Sequence, residues 1–327
     1  MNVLYNHLLC QTKHIRHESI TVNINQRSCL HGMNTQDETR GQGPVTNLGI
    51  VINYCSNEKA FIDSLIRECS RISPYISVAY GDHMYDGTPE DTTYLLENIR
   101  RKYPHVKYVP YSVDVATDLY KMRGVVQRPT AYWCNLARWK GYRAIEEQAA
   151  SEKGTIDWVL FLDADEIPVA DMFMDWASRL SSRDEKGYTL MLPPTHSFKF
   201  ANYWYFKNET NQSTVFEDSI LMIHTDMITE DSVFHDLERD GILAVAKPQQ
   251  YRMVKSATGE PMFHHYSWVR GRAGLTKKLK TWAHRDDIFK NTDVEQLIAY
   301  IYRNDDANDI IHHYTYKKVV CPWSFIF

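Results

Sequence analysis

The feature that most constrains this chain is an alternation between residues 49 and 162. Short apolar runs of strand length take turns there with longer stretches of helical period. Gly49-Ile-Val-Ile-Asn-Tyr54 reads as a parallel strand buried on both faces. Ser56-Asn-Glu58 is placed to cap a helix in which Phe61, Ile62, Leu65, Ile66 and Cys69 recur at helical spacing. Tyr75 to Tyr80 predicts a second strand, closed by Gly81-Asp82. A helix over 90–102, a strand from Val106 to Pro110, a helix over 131–150 and a buried strand from Asp157 to Leu162 follow. Strand and helix in strict turn require a parallel sheet with right-handed crossovers. Ligands of such sheets bind beyond the carboxyl ends of the strands. The residues to inspect are therefore Tyr54 to Glu58, Asp82 to Asp86 and Asp163 to Glu166.

The rest of the 327 residues divides around this core. Residues 1–47 read as an N-terminal arm and linker, with a strand-like patch at Ser19 to Ile24 and a stretch of Gly, Pro and charge over 35–47. Residues 48–270 read as one domain with two halves, 48–187 and 188–270. The second half is strand-rich and aromatic, with strands expected at Tyr188 to Leu192, Ser197 to Phe206, Ile220 to His224 and Ile242 to Ala246. Residues 271–327 form a basic, helical extension. A net charge of −4 argues against a whole-chain grip on nucleic acid or anionic membrane. No apolar run approaches the ~18 residues of a membrane span, and the first residues lack a basic leader, so no signal peptide is read. Six scattered cysteines without a CxxC pair fit reduced thiols in a cytoplasmic setting, with peripheral membrane association left open. The sequons at Asn208 and Asn211 read as chance matches.

The acidic strand end is the sharpest local signal. Leu160-Phe-Leu-Asp163-Ala-Asp165-Glu166 runs apolar and then sets carboxylates at i and i+2, which lie on one side of a strand. Close like charges repel, and a divalent cation removes the conflict; oxygen ligands at this spacing suit Mg²⁺ or Mn²⁺, which also holds a diphosphate. About a hundred residues later comes His264-His265-Tyr266-Ser267-Trp268-Val269-Arg270. An imidazole ligand favours Mn²⁺ over Mg²⁺. Neighbours on a strand face opposite ways, so at most one of the two histidines can reach a metal. Thr229-Glu230-Asp231 offers a general base in Asp231, or else a helix cap with acids in its first turn. Glu217, Asp218 and Asp236 compete for the same role. Arg138, on the helix before the acidic strand, is placed to reach a diphosphate. The aromatic run Phe198, Phe200, Tyr203, Trp204, Tyr205, Phe206 reads as strand packing, with Tyr203 or Trp204 as candidates for stacking on a sugar.

In this order the pieces resemble metal-dependent glycosyltransferases of the GT-A fold, near the family 2 group, over roughly residues 48–270. The resemblance rests on Ile50 to Glu58, the strand ending at Asp82, the Ala137 to Ala144 helix, the Asp-x-Asp strand, Thr229-Glu-Asp231 and His265 to Arg270. It implies an α/β, Rossmann-like, mostly parallel central sheet flanked by helices, with a strand-rich acceptor half. It also implies a nucleotide-sugar donor, UDP-linked in preference, and a glycan or other hydroxyl acceptor. Tyr54, Glu58 and Asp82 would frame the nucleoside; Arg138 and Asp163 would sit by the ribose and diphosphate. Asp165 would hold the Mn²⁺ or Mg²⁺, with His265 as late ligand and His264 as second choice. Asp231 would be the base of an inverting enzyme, and Arg270, Lys277 and Lys278 would add positive charge. The second strand ends Tyr-Gly-Asp-His rather than in paired Asp, which makes Asp86 an alternative for reading the base.

Three rivals share parts of this pattern. A haloacid-dehalogenase-type phosphohydrolase also opens on Asp-x-Asp, but closes its first strand with it, follows it with Thr or Val where Ile167 stands, and needs a late Gly-Asp that is missing. A sugar-nucleotide-forming nucleotidyltransferase would carry a Gly-rich loop where Cys55 to Lys59 stand. A non-catalytic glycan-binding module would not need its metal-site carboxylates.

Overall fold

The computed structural model describes residues 47–113, 129–180, 196–235, 238–281, 293–303 and 312–325. The N-terminal arm with its 19–24 patch, the 188–192 strand, Asp236, Cys10 and Cys29 lie outside them.

Strands β1 (Leu48–Tyr54), β2 (Tyr75–Gly81), β3 (Lys107–Tyr111) and β4 (Trp158–Asp163) lie side by side in the order β3-β2-β1-β4, all parallel. Helices α1 (Ile62–Ile72) and α2 (Pro129–Ser151) make two of the crossovers. Alternate residues explain the layers. In β1, Ile50 and Ile52 pack with Leu65 and Ile66 of α1. Val51 packs with Ile145 of α2 on the other face. β4 repeats this, with Leu160 and Leu162 on the first face and Val159 and Phe161 on the second. Helix α2 approaches closely at Gly141, where a Cβ would stand 2.7 Å from Val51 Cγ1 and 2.9 Å from Ser77 Oγ.

The sheet continues as β7 (Asn211–His224), β6 (His196–Phe206), β9 (Phe263–Trp268) and β5 (Glu166–Pro168). β8 (Gln249–Val254) and β10 (Tyr316–Lys318) pair with β6 and β7. Helices α3 (Ala170–Leu180), α4 (Glu230–Val233), α5 (Arg239–Ala246), α6 (Arg272–Thr281) and α7 (Val294–Arg303) follow, and between β2 and β3 runs a helical segment, Leu95–Ile99 continued by Arg100–Lys102. A mostly parallel central sheet flanked by helices, with a strand-rich second half, is the α/β class expected. Among the described residues, no helix is long and apolar enough to cross a membrane.

Two local expectations fail. Residues 242–246 are helical, within α5. Ile242 and Leu243 are both buried while Ala244 and Val245 are exposed, a one-sided pattern no strand gives. Ser56–Glu58 is a separate 3₁₀ turn, and α1 starts only at Ile62 without a side-chain cap. The described cysteines, Cys55, Cys69, Cys134 and Cys321, are free thiols.

Candidate active site at the strand carboxyl ends

β4 ends with Asp163 on the face that carries Phe161, toward α2. Arg138, buried on α2, donates to its Oδ1 at 3.2 Å. Arg239, the first residue of α5, donates to Oδ2 at 3.3 Å. The turn after Asp163 is closed by Glu166, whose Oε2 accepts the Asp163 N–H at 2.8 Å. Glu166 is fully buried and held by Arg239 through both oxygens, at 2.6 and 3.0 Å, and by the Ser219 hydroxyl. Arg239 thus anchors the acidic turn. Removing it would strand a buried carboxylate, a change that costs about 3–5 kcal/mol in comparable networks.

Asp165 points elsewhere. Its Oδ2 accepts from Arg270 at 3.0 Å and from Lys278 of α6 at 3.1 Å; its Oδ1 lies 3.5 Å from His265 Nε2. Glu58 joins this group, accepting from Arg270 at 2.8 Å and from the Cys55 thiol. Arg270 also donates to the Asn57, Tyr266 and Ser267 carbonyls, so the segment after β9 is tied to the end of β1. Five carboxylates (Glu58, Asp163, Asp165, Glu166, Glu238) face four cations (Arg138, Arg239, Arg270, Lys278), leaving one negative charge when His265 is neutral. Burial drives the Asp165 carboxyl upward, but Lys278, His265 and Arg270 outweigh it and hold it well below the usual carboxylate range. For Asp163, Arg239 and Arg138 likewise overcome burial. Burial lowers His265, yet its bond to Asp165 and the charge of Glu166 leave it raised.

The histidine pair divides as strand alternation requires. β5 and β9 pair Glu166 with His265 and Ile167 with His264. His265 therefore shares the acidic face, and Trp204 packs edge-on against it at 4.6 Å. His264 turns into the core beside Tyr205, Tyr266 and Trp323. Tyr205 accepts from Gln212 and bonds His264 Nδ1 at 2.6 Å, and burial pushes His264 down to about 3. His264 is a core residue and not a ligand. In the aromatic run, Phe198, Phe200, Tyr205 and Phe206 are buried packing, while Tyr203 is half-buried with its hydroxyl on Glu260.

Asp231 is exposed and makes no hydrogen bond or ion pair with this cluster among the described residues. β4 and β7 are antiparallel, with Trp158 opposite His224, so β7 ends beside the start of β4. That is roughly 16 Å from Asp163 at 3.3 Å per strand residue. A 3₁₀ turn, Thr225–Met227, and two further residues lead from there to α4. Thr229 and Ser232 form a capping box there, and Asp231 is exposed in its first turn. The chain then climbs along α2, where Asn135 donates to the His235 carbonyl. It returns at Glu238, which accepts from Arg138 at 3.0 Å. Of the other acids, Asp218 is clamped by Arg252 and Glu217 accepts from Tyr314. Glu238 and Arg239 are the residues sequence reasoning missed. Their only signal was charge density in Glu238-Arg-Asp240, which reads as a solvated loop.

Tyr54 is buried at the end of β1, with a hydroxyl that has no hydrogen-bond partner among the described residues. Asp82 stands at the end of β2. It accepts from Ser112 at 2.6 Å and from the Val113 N–H at 2.8 Å. Burial raises it, but these bonds and His83 together outweigh that and bring it to about 2. It borders a cavity of about 370 Å³ with Tyr80, Tyr111, Ser112 and Lys140. Asp86 accepts from Thr88.

Among the described residues no three histidine, cysteine or carboxylate groups come together as a ready metal cage. Asp165 Oδ1 and His265 Nε2, 3.5 Å apart, supply two donors on one side. Mg²⁺-type cations at phosphate sites are commonly held by one or two side chains and completed by phosphate oxygens. These residues fit such a site.

The fold is α/β, and the charged cluster stands at the carboxyl ends of its parallel strands. No family model matches the chain, and no curated protein matches it in sequence. Two solved structures align over most of it. One is a glycosyltransferase involved in the glycosylation of the major capsid of PBCV-1, at 10% identity and a TM-score of 0.28, over 79% of this chain and 99% of that one. The other is the inositol-1-phosphate CTP transferase from T. maritima, at 9% identity and a TM-score of 0.30, over 80% and 98%. At these scores neither alignment identifies the chain, and its function is argued from its own residues.

Proposed function

We propose that this protein is a glycosyltransferase that moves a sugar from a nucleoside-diphosphate donor, UDP-linked in preference, to a hydroxyl acceptor of glycan type. The observation that carries this reading is the split Asp-x-Asp. Asp163 is clamped by two arginines as a rigid strand end, while Asp165 turns to His265, Arg270 and Lys278. Glycosyl transfer develops positive charge on the sugar and negative charge on a departing diphosphate. A Mn²⁺ or Mg²⁺ ion held by Asp165 and His265 would supply Lewis-acid stabilisation of that diphosphate.

The chain's own groups do the rest. Arg270 and Lys278 hold two positive charges beside Asp165, where the leaving group's charge appears. Arg138 fixes Asp163 for contact with the ribose and diphosphate, and Glu166 keeps the turn from opening. Tyr54, Glu58 and Asp82 line the strand ends where the nucleoside would lie. The acceptor's proton goes to Glu238, the carboxylate that the segment after α4 brings beside Arg138.

The phosphohydrolase reading needs Asp163 as a nucleophile on the first strand of its domain. Here both Asp163 oxygens are held by arginines and three parallel strands precede β4. The test is donor hydrolysis across UDP-, GDP- and CMP-sugars, with and without Mn²⁺, beside Asp165→Asn. Metal-dependent release of one nucleoside diphosphate, lost in the variant, is the expected result. Hydrolysis indifferent to both metal and variant would overturn the proposal.

A further inference from the structure

Lys199 is a buried cation that the mechanism does not use. It stands on β6 opposite Leu221 of β7, on the side of the sheet where Leu221 and Ile223 pack with Ile242 and Leu243 of α5. Only 4% of it is exposed, beside apolar neighbours that a leucine or methionine would suit as well. A buried ammonium is costly unless it is paired. Its partner is Asp240 in the first turn of α5, at 2.7 Å, and that side chain is 55% exposed. The pair is therefore a weak source of stability, because Asp240 without Lys199 returns to water. Its effect is to tie the first turn of α5 to β6.

That turn follows Glu238 and opens with Arg239. Glu238 has φ +53° and ψ −124°, a backbone conformation that is costly for any residue but glycine. Such strain persists only where the surroundings over-determine it. Here they do so on both sides. Before it, the Glu238 N–H donates to the His235 carbonyl at 3.2 Å, and that carbonyl also accepts from Asn135 of α2 at 2.8 Å. After it, the Glu238 carbonyl accepts from the Gly241 N–H at 2.9 Å. Gly241 comes so close to His235 that a Cβ would stand 2.6 Å from the His235 Cβ. Lys199 holds Asp240 from the sheet, and Arg252, bound to Asp218, lies near enough to add attraction. The outcome is a carboxylate fixed 3.0 Å from Arg138.

We propose that Lys199 and Asp240 are positioning residues for the transfer step. Their ion pair holds the start of α5, so that Glu238 keeps its strained backbone and presents its carboxylate to the acceptor hydroxyl. The inference rests on the transferase reading with Glu238 as base. Among the described residues neither Lys199 nor Asp240 bonds to the charged cluster directly, so both act through Glu238.

The experiment measures kcat and KM for Mn²⁺-dependent hydrolysis of UDP-, GDP- and CMP-sugars, in which water takes the acceptor's place, with melting temperatures alongside. The full chain is compared with Lys199→Met and Lys199→Arg. Lys199→Met should lower kcat roughly 10- to 100-fold, the scale of a misplaced reacting group, with KM and melting temperature little changed. Lys199→Arg, which keeps the pair, should recover most of the rate. Combined with Glu238→Gln, Lys199→Met should cost nothing further, because both changes remove the same function. Asp240→Asn, at a half-exposed side chain, should repeat the kcat loss and serves if Lys199→Met misfolds. An unchanged kcat, or losses that multiply in the combined variant, would overturn the positioning role; with hydrolysis still lost in Asp165→Asn, the transferase reading would stand without it. Amide exchange at Gly241 and Ile242, whose N–H groups donate to the Glu238 carbonyl, gives a readout without turnover. In a protein that hydrolyses no donor, exchange that quickens in Lys199→Met and not in Lys199→Arg would keep the hold on Glu238 and remove the transferase reading. Unchanged exchange would overturn the hold as well.

Discussion

Asp163 and Asp165 are two residues apart and do different work, because one ends a strand and the other lies in the turn beyond it. Asp163 keeps the parity of β4 and meets Arg138 on α2; Asp165 escapes that parity and meets the β9 and α6 cations. His265 and His264 divide for a different reason, alternation within β9. Glu238→Gln should lower kcat by roughly 10²–10⁴, the range expected for loss of a general base. Asp231→Asn, on an exposed first turn of α4, should leave kcat within about twofold. Steady-state transfer assays on both variants check this. The reverse pattern would return the base to Asp231.

At the scale of elements, two packing relations set the site. The first is α2 on β1 and β2. Gly141 lets the helix approach closely enough for Arg138, one turn earlier, to reach Asp163. Gly141→Val should place methyl groups against Val51 and Ser77, costing about 1–3 kcal/mol by overpacking. Urea unfolding should show the loss of stability, and activity should fall with it as Arg138 is displaced. A variant as stable as wild type would show that α2 has slack against the sheet. The second relation is β5 on β9, whose register selects His265 over His264. A one-residue slip would exchange them.

For the whole molecule, pH is the natural probe because the site is a lattice of buried charge. His264 is neutral when folded, with its proton affinity pushed down to about 3, whereas an unfolded histidine protonates near 6.5. The unfolded chain therefore binds more protons between these values. Its contribution to stability is complete above pH 6.5 and is lost progressively as pH falls toward 3, at up to about 1.4 kcal/mol per pH unit. His264→Gln should remove that slope. Urea midpoints at pH 7 and pH 5 should then lie closer together than in wild type, and an unchanged gap would place the acid sensitivity elsewhere. The far end of the chain also bears on this region, since Trp323 and Phe325 pack on His264, Tyr266 and Phe61.

What the sequence determined by itself is everything set by local pattern. β1, β2 and β4 were legible because they are apolar on both faces, as only central parallel strands are. The acidic turn was legible because two carboxylates end such a run, and the division of the histidines because strand neighbours face opposite ways. Ile242 to Ala246 was misread because five apolar residues carry no period, and only packing on one side shows the helix. The partners of the carboxylates were decided by tertiary structure alone. Arg239 stands 76 residues from Asp163 and Lys278 stands 113 from Asp165. Nothing in a charged stretch tells whether it is solvated or folded back onto a strand end. The path of the chain beyond β7 made that choice, bringing Glu238 and Arg239 to Arg138, Asp163 and Glu166.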